Sequence, residues 1–200
     1  MKKKKLQDPQ IVRKRTELMM ERQLGELARF FGEFERYGDQ YYAWLESGQS
    51  LNIRYYEDSK FMSKVFSTRI TLEFADMVME TSWKARLSFR GLKTISRLVW
   101  QPGPKSNPER TRFLNERKGF NERLLPLCRN LDLITIELDY AQDAKRLLVS
   151  ILPYAGSYVW IKLPPAYCDI PLKPSEAETI YEIVSLFVRE FGQYQGLQTG

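Results

Sequence analysis

The sequence predicts an α+β fold: a mostly antiparallel sheet of about six strands, with a long N-terminal helix, a middle helical segment and a C-terminal helix packed on it. Three patterns carry that reading. From Leu131 to Leu163 apolar and polar residues alternate at period two, in runs separated by the short links AQD and PYAG, which reads as an antiparallel meander. From Ala177 to Phe191 the residues Ala177, Ile180, Tyr181, Val184, Phe187, Val188 and Phe191 fall on one helical stripe. From Met20 to Leu45 apolar residues step by fours and threes, as in a heptad-like helix.

Residues 1–7, MKKKKLQ, read as a disordered basic tail. No apolar h-region follows the lysines, so the start is not read as a secretory signal. Residues 8–48 read as one amphipathic helix, with Asp8 as its cap and Pro9 at its first position. Its stripe is Met20, Leu24, Leu27, Phe31, Phe34, Tyr41 and Leu45, weakened at Gly32 and Gly38, where a kink or break is expected near Gly38. The stripe is an arm or a sheet cover. The preferred reading packs it on the chain's own sheet; the alternative uses Met20, Leu24, Leu27, Phe31 and Phe34 as a homodimer seam.

Residues 49–200 read as a single α+β domain with an internal loop at 101–108, QPGPKSNP. Ahead of that loop, Ile70, Leu72 and Phe74 alternate with Thr71 and Glu73, while Trp83, Ala85, Leu87 and Phe89 alternate with Lys84, Arg86, Ser88 and Arg90. Residues 82–100 read as a hairpin about a two-residue turn at Gly91-Leu92. That register sets Arg90 opposite Lys93 and Arg86 opposite Arg97 on one face, and Trp83 opposite Trp100 on the other. Asn107-Pro108-Glu109 then opens a helical segment to about Arg129, broken near Gly119 and Pro126.

In the meander, Ile134, Ile136 and Leu138 share a face, as do Leu147, Val149 and Ile151, and then Val159, Ile161 and Leu163. Leu148, Tyr158 and Trp160 point the other way and need cover, which the N-terminal stripe can supply. Pro164-Pro165-Ala166-Tyr167 matches the P-P-x-Y pattern of WW-domain ligands. Such a ligand is free and extended, whereas the two prolines here end a strand and a core helix follows closely, so the motif reads as a packed turn. Ala166–Leu172 returns with Ile170 and Leu172 towards the core, and Ser175 to Glu178 forms an S-x-x-E capping box.

Composition narrows the chemistry. The chain has no histidine, which removes imidazole acid–base work, His-activated nucleophiles and His-ligated metals. Cys128 and Cys168 are isolated, so a Cys-ligated zinc site fails too; they read as free buried thiols in an intracellular, cytoplasmic protein. No phosphate loop, dinucleotide fingerprint or calcium loop is present, and no cofactor is expected. No apolar run is long enough for a membrane-spanning helix. Of the net charge of +6, residues 1–22 supply +5, with eight Lys or Arg against three acids.

Two functions remain open. The first is a binding or scaffold protein that engages an anionic or protein partner through a basic sheet face and the N-terminal arm. The candidate residues are Lys84, Arg86, Arg90, Lys93 and Arg97, and the anion is a nucleic-acid backbone, an anionic membrane surface or an acidic protein. The argument is energetic. Like charges directly opposed on a sheet destabilise it, so either an acid of the fold, such as Glu73 or Glu80, or an external anion must offset them. The second is a histidine-free enzyme using Asp, Glu or Tyr, marked by a deep polar pocket with two close carboxylates. Glu137, Asp139 and Asp143 suit a hard cation by type, but at a hairpin end they read as solvated turn acids.

Overall fold

The computed structural model describes residues 9–59, 61–91, 94–104, 106, 108–162 and 166–194. The basic tail, the Asp8 cap, Lys93, Asn107 and the Pro164-Pro165 pair lie outside the described residues.

Helix α1 spans Pro9–Phe31, so the predicted helix over 8–48 holds only in its first part. Gly32 ends it. The residue sits in the left-handed region at φ +79°, and its N–H closes on Ala28 O at 3.0 Å, a helix stop that a side chain would strain. Phe34, Tyr41 and Leu45 kept the heptad spacing by coincidence. The residues after the stop fold as strands β1 (Glu35–Tyr37) and β2 (Gln40–Trp44), where Tyr41 and Ala43 are buried by period-two alternation.

Strands β3 (Ser50–Ser59) and β4 (Ser63–Phe74) form a long hairpin, and β5 (Trp83–Arg90) and β6 (Arg97–Pro102) a second. Helices α2 (Pro108–Glu116) and α3 (Lys118–Asn130) follow, divided at Arg117; Pro126 sits inside α3 without breaking it. Strands β7 (Leu133–Ala141) and β8 (Arg146–Pro153) pair, then β9 (Ser157–Ile161) and β10 (Ala166–Ile170), before α4 (Pro174–Phe191). Among the described residues the sheet has ten strands rather than six, all antiparallel, in the order β1-β2-β3-β4-β8-β7-β5-β6, with β9 on β4 and β10 on β9. The cap of α4 also differs from prediction. Glu176 folds back to accept the Lys173 N–H at 2.8 Å, two residues ahead of the expected Ser175 box.

The expected meander fails between β8 and β9, and the failure shapes the molecule. Both strands lie end to end along one side of β4, with Ile70 opposite Ile151 and Phe66 opposite Tyr158. Four steps along β4 are therefore matched by seven along its partner. An odd excess of residues reverses which side chains face which way. Tyr158 and Trp160 thus share the face of Leu147, Val149 and Ile151, while Val159 and Ile161 turn to the other side. The sequence reading had these strands the opposite way round.

The described helices all lie on that first face, so α1 does not cover a second one. Met20, Leu27 and Phe31 of α1 are buried in the chain's own core, with Leu24 and Phe34 packed at its margin. Phe30 and Phe31 meet Tyr181 of α4, and Phe120 of α3 meets Phe187 in an edge-to-face contact. Val12, Phe66 and Tyr158 form a smaller cluster under the start of α1. Buried Gln23 ties α1 to the β8–β9 break: its Nε2 donates to Tyr55 Oη at 2.7 Å and Gly156 O at 2.5 Å, and Thr68 donates to its Oε1 at 2.6 Å. Of the two free cysteines, Cys128 is buried and its thiol is pushed up to about 12 by desolvation. Cys168, expected to be buried, is exposed on β10.

Candidate functional site: the uncovered sheet face

With the helices on one side, the polar side chains of the strands form the other. The β5–β6 hairpin carries the predicted basic residues there. Lys84, Arg86, Arg90 and Arg97 are exposed on this face, as expected from their alternation with Trp83, Ala85 and Leu87. Lys93 lies outside the described residues. The register differs from prediction by four residues. The loop runs from Gly91 to Ser96, closed by Ser96 N–H on Arg90 O at 2.7 Å, and the opposed pairs are Arg90–Arg97, Arg86–Gln101 and Leu87–Trp100. Trp83 lies opposite Tyr140 of β7 rather than Trp100. An even shift keeps every side chain on its face, which is why the faces were right and the partners wrong.

The partners decide which cations are spent. Lys84 is in register with Asp139 and bonds it at 2.5 Å. Arg86 is in register with Glu137 and donates from Nε to Thr135 Oγ1 at 3.2 Å. The acid that pairs with Lys84 and the acid in register with Arg86 are both on β7, not Glu73 or Glu80. Glu73 instead meets Arg146 at 3.4 Å. Arg90 and Arg97 are different. They face each other directly, both exposed, with no acid partner among the described residues. Glu137 and Asp139 are occupied by cations, and among the described residues no group of three or more Cys, Asp or Glu is placed to hold a metal ion.

A second feature of this face escaped the sequence reading. A groove of about 550 Å³ runs beneath the β8–β9 break, between the end of β3 and β5. Arg69 and Arg86 approach it on either side of Glu137, and Arg69 Nη2 lies 3.5 Å from that carboxylate. The Arg69 guanidinium also stands 5.1 Å from the Tyr56 ring centroid. Arg54 is directly opposite Arg69 in the β3–β4 register, giving the face a second opposed arginine pair. Arg69, Thr71 and Glu73 are visible in the sequence as a polar set alternating with Ile70, Leu72 and Phe74. Their meeting with Glu137 and Arg86 depends on strand order, which the alternation does not encode.

Residues 23–191 match the family described as "Protein of unknown function (DUF3156)", and the chain belongs to that family. No curated protein and no solved structure matches it. Among the described residues, no helix is long and apolar enough to cross a membrane.

Proposed function

We propose that this member of the DUF3156 family is a binding protein that holds an anionic partner against the uncovered face of its sheet, at the β5–β6 hairpin. The observation that supports it is the directly opposed Arg90–Arg97 pair, exposed and without an acid among the described residues. Cross-strand like charges are destabilising, and a bound anion converts that repulsion into paired, charge-assisted hydrogen bonds. Both side chains sit on the hairpin at the end of the sheet path, where an extended anionic surface can approach without meeting the helices. The N-terminal segment, with its excess of lysine and arginine over residues 1–22, adds long-range attraction for the same partner.

The test compares the full chain with its Arg90→Ala/Arg97→Ala variant, on immobilised heparin and in sedimentation with phosphatidylglycerol vesicles. The N-terminal charge is the same in both proteins, so the difference isolates the hairpin. The variant is expected to elute at lower salt, to lose vesicle binding first as salt rises, and to unfold at an unchanged or slightly higher temperature. Unchanged retention in both assays, or a markedly less stable variant, makes these arginines structural and removes the reading.

A further inference from the structure

Phe61 is the most exposed large hydrophobic side chain among the described residues, at 92%, and its neighbour Met62 is 44% exposed. The two sit at the tip of the β3–β4 hairpin, just past the Ser59–Lys64 pair that ends its ladder. A ring left in water adds little to folding, since an apolar group stabilises only where it leaves water. The tip is nonetheless braced. Lys162 donates its backbone N–H to Met62 O at 2.8 Å and its Nζ to Phe61 O at 3.4 Å. Strand β9 follows β4 as far as the Ser63–Ile161 pair, so the sheet supports the tip up to its base. The backbone is tied down while the Phe61 ring is held out.

The same end of the molecule is basic. The start of α1 lies beside the tip, where Val12 and Arg13 share a cleft of about 480 Å³ with Lys64, Trp160 and Lys162. Arg13 is matched by Glu17 and Lys64 by Glu57, so those charges cancel. Lys14 is exposed and has no acid partner among the described residues. Arg15 lies over the half-exposed Tyr167, its guanidinium 3.9 Å from the ring centroid. Residues 1–8 run into α1 here and add four lysines against one acid, Asp8. Lys64, Trp160 and Tyr167 are in register across β4, β9 and β10. Three residues separate Lys64 from Phe61, at most about 10 Å at strand rise. That is the depth over which headgroups separate water from acyl chains. An apolar tip with positive charge behind it fits an anionic bilayer, which supplies an apolar phase and anions together. A nucleic-acid backbone or an acidic protein surface would meet the charge and leave Phe61 and Met62 without an apolar phase.

We propose that the β3–β4 tip docks on an anionic lipid bilayer, with Phe61 and Met62 entering the acyl boundary and the basic start of the chain resting on the headgroups. This contact is separate from the Arg90–Arg97 pair. The experiment sediments the full chain with phosphatidylcholine vesicles, with and without phosphatidylglycerol, at low salt. Binding is expected only where phosphatidylglycerol is present. Phe61→Ser/Met62→Ser is expected to lose about tenfold in partitioning, with heparin retention and melting temperature unchanged. If that variant does not fold, Phe61→Ala replaces it, with the same direction expected. Depth is read on the unaltered chain in nanodiscs of the anionic composition, by NMR of its methionine methyls with a spin label on the lipid acyl chain. Met62 is expected to broaden while the buried Met20 and Met77 do not. Heparin retention responds to Arg90→Ala/Arg97→Ala and not to the tip variant, so this site and the hairpin reading fail separately. No binding to the anionic vesicles, unchanged partitioning of a folded tip variant, or Met62 broadened no more than Met20 overturns the proposal. Equal loss of heparin retention and vesicle binding in the tip variant overturns it too, since the tip would then serve polyanions in general.

Discussion

Gly156 shows how much one residue can carry. It stands at the break between β8 and β9 with φ +78°, and a Cβ there would come within 2.5 Å of Gln23 Oε1 and 2.8 Å of Thr68 Oγ1. Those atoms belong to the buried network that holds α1 to the sheet, so they have little freedom to move aside. Burial also raises the Tyr55 hydroxyl pKa, so that group remains a neutral partner for Gln23. Gly156→Ala is therefore expected to cost about 2–4 kcal/mol, combining left-handed strain with at least one displaced buried hydrogen bond. Urea denaturation measures it; a loss below about 0.5 kcal/mol would mean that the network relaxes around the methyl group. Gly156 looked in the sequence like an ordinary turn glycine within PYAG. Only the distant Gln23 and Thr68 reveal its second constraint.

Among the elements, α1 and β6 show two ways of closing a sheet. Leu27 is fully buried in the core beneath α1, so Leu27→Asp places a carboxylate where neither water nor a cation is at hand. The expected outcome is a loss of about 4 kcal/mol or more, read as a lowered melting temperature or failure to fold. A variant that keeps its stability would show that the helix packs elsewhere. At the other end of the sheet, β6 would offer unpaired backbone groups to a neighbour. Asn115 of α2 blocks this: its side chain accepts the Trp100 N–H at 2.8 Å and donates to the Trp100 carbonyl at 2.9 Å. The Trp100 indole is fixed in turn by Asn121 Oδ1 at 3.0 Å. Nothing in the NER and FLNERKGFNER segments marks these asparagines as partners of a strand, since polar residues on a helix usually read as solvated.

At the scale of the molecule, the sheet has one face that makes the fold and one that the described helices leave uncovered. Ile151 is fully buried in the centre of the helix-covered face, between β4 and β7. Gln101 is exposed on the open face of β6, bonded to Ser88. Ile151→Ala is expected to cost about 2–5 kcal/mol through the cavity it leaves, and Gln101→Ala about 0.5 kcal/mol or less. The two unfolding curves check the asymmetry directly; comparable losses would mean that the open face is also structural. The same division explains why charged and paired residues gather on one side. Lys84–Asp139 and Arg146–Glu73 bridge neighbouring strands on the open face, and Arg69–Glu137 reaches from β4 across β8 to β7, in surroundings where screening keeps each contribution small.

Local patterns determined a good part of this protein. Alternation around Trp83–Arg90 separated core from surface side chains, and the 177–191 stripe located the core helix, because burial on one side of an element leaves its period in the sequence. The absence of histidine likewise set chemical limits that no fold can change. What only the tertiary structure decided was everything that depends on which strand lies beside which. Strand order brought Asp139 to Lys84 and Glu137 between Arg69 and Arg86, although these residues are far apart in the chain. The loop length at Gly91 moved Arg97 opposite Arg90, and the extra residues before Ser157 exchanged the faces of Tyr158 and Val159. Period-two alternation is blind to both: an even shift preserves each face while changing every partner, and an odd insertion preserves the alternation while reversing it. Register is set by the sum of packing across the whole sheet, and that sum exists only once the chain is folded.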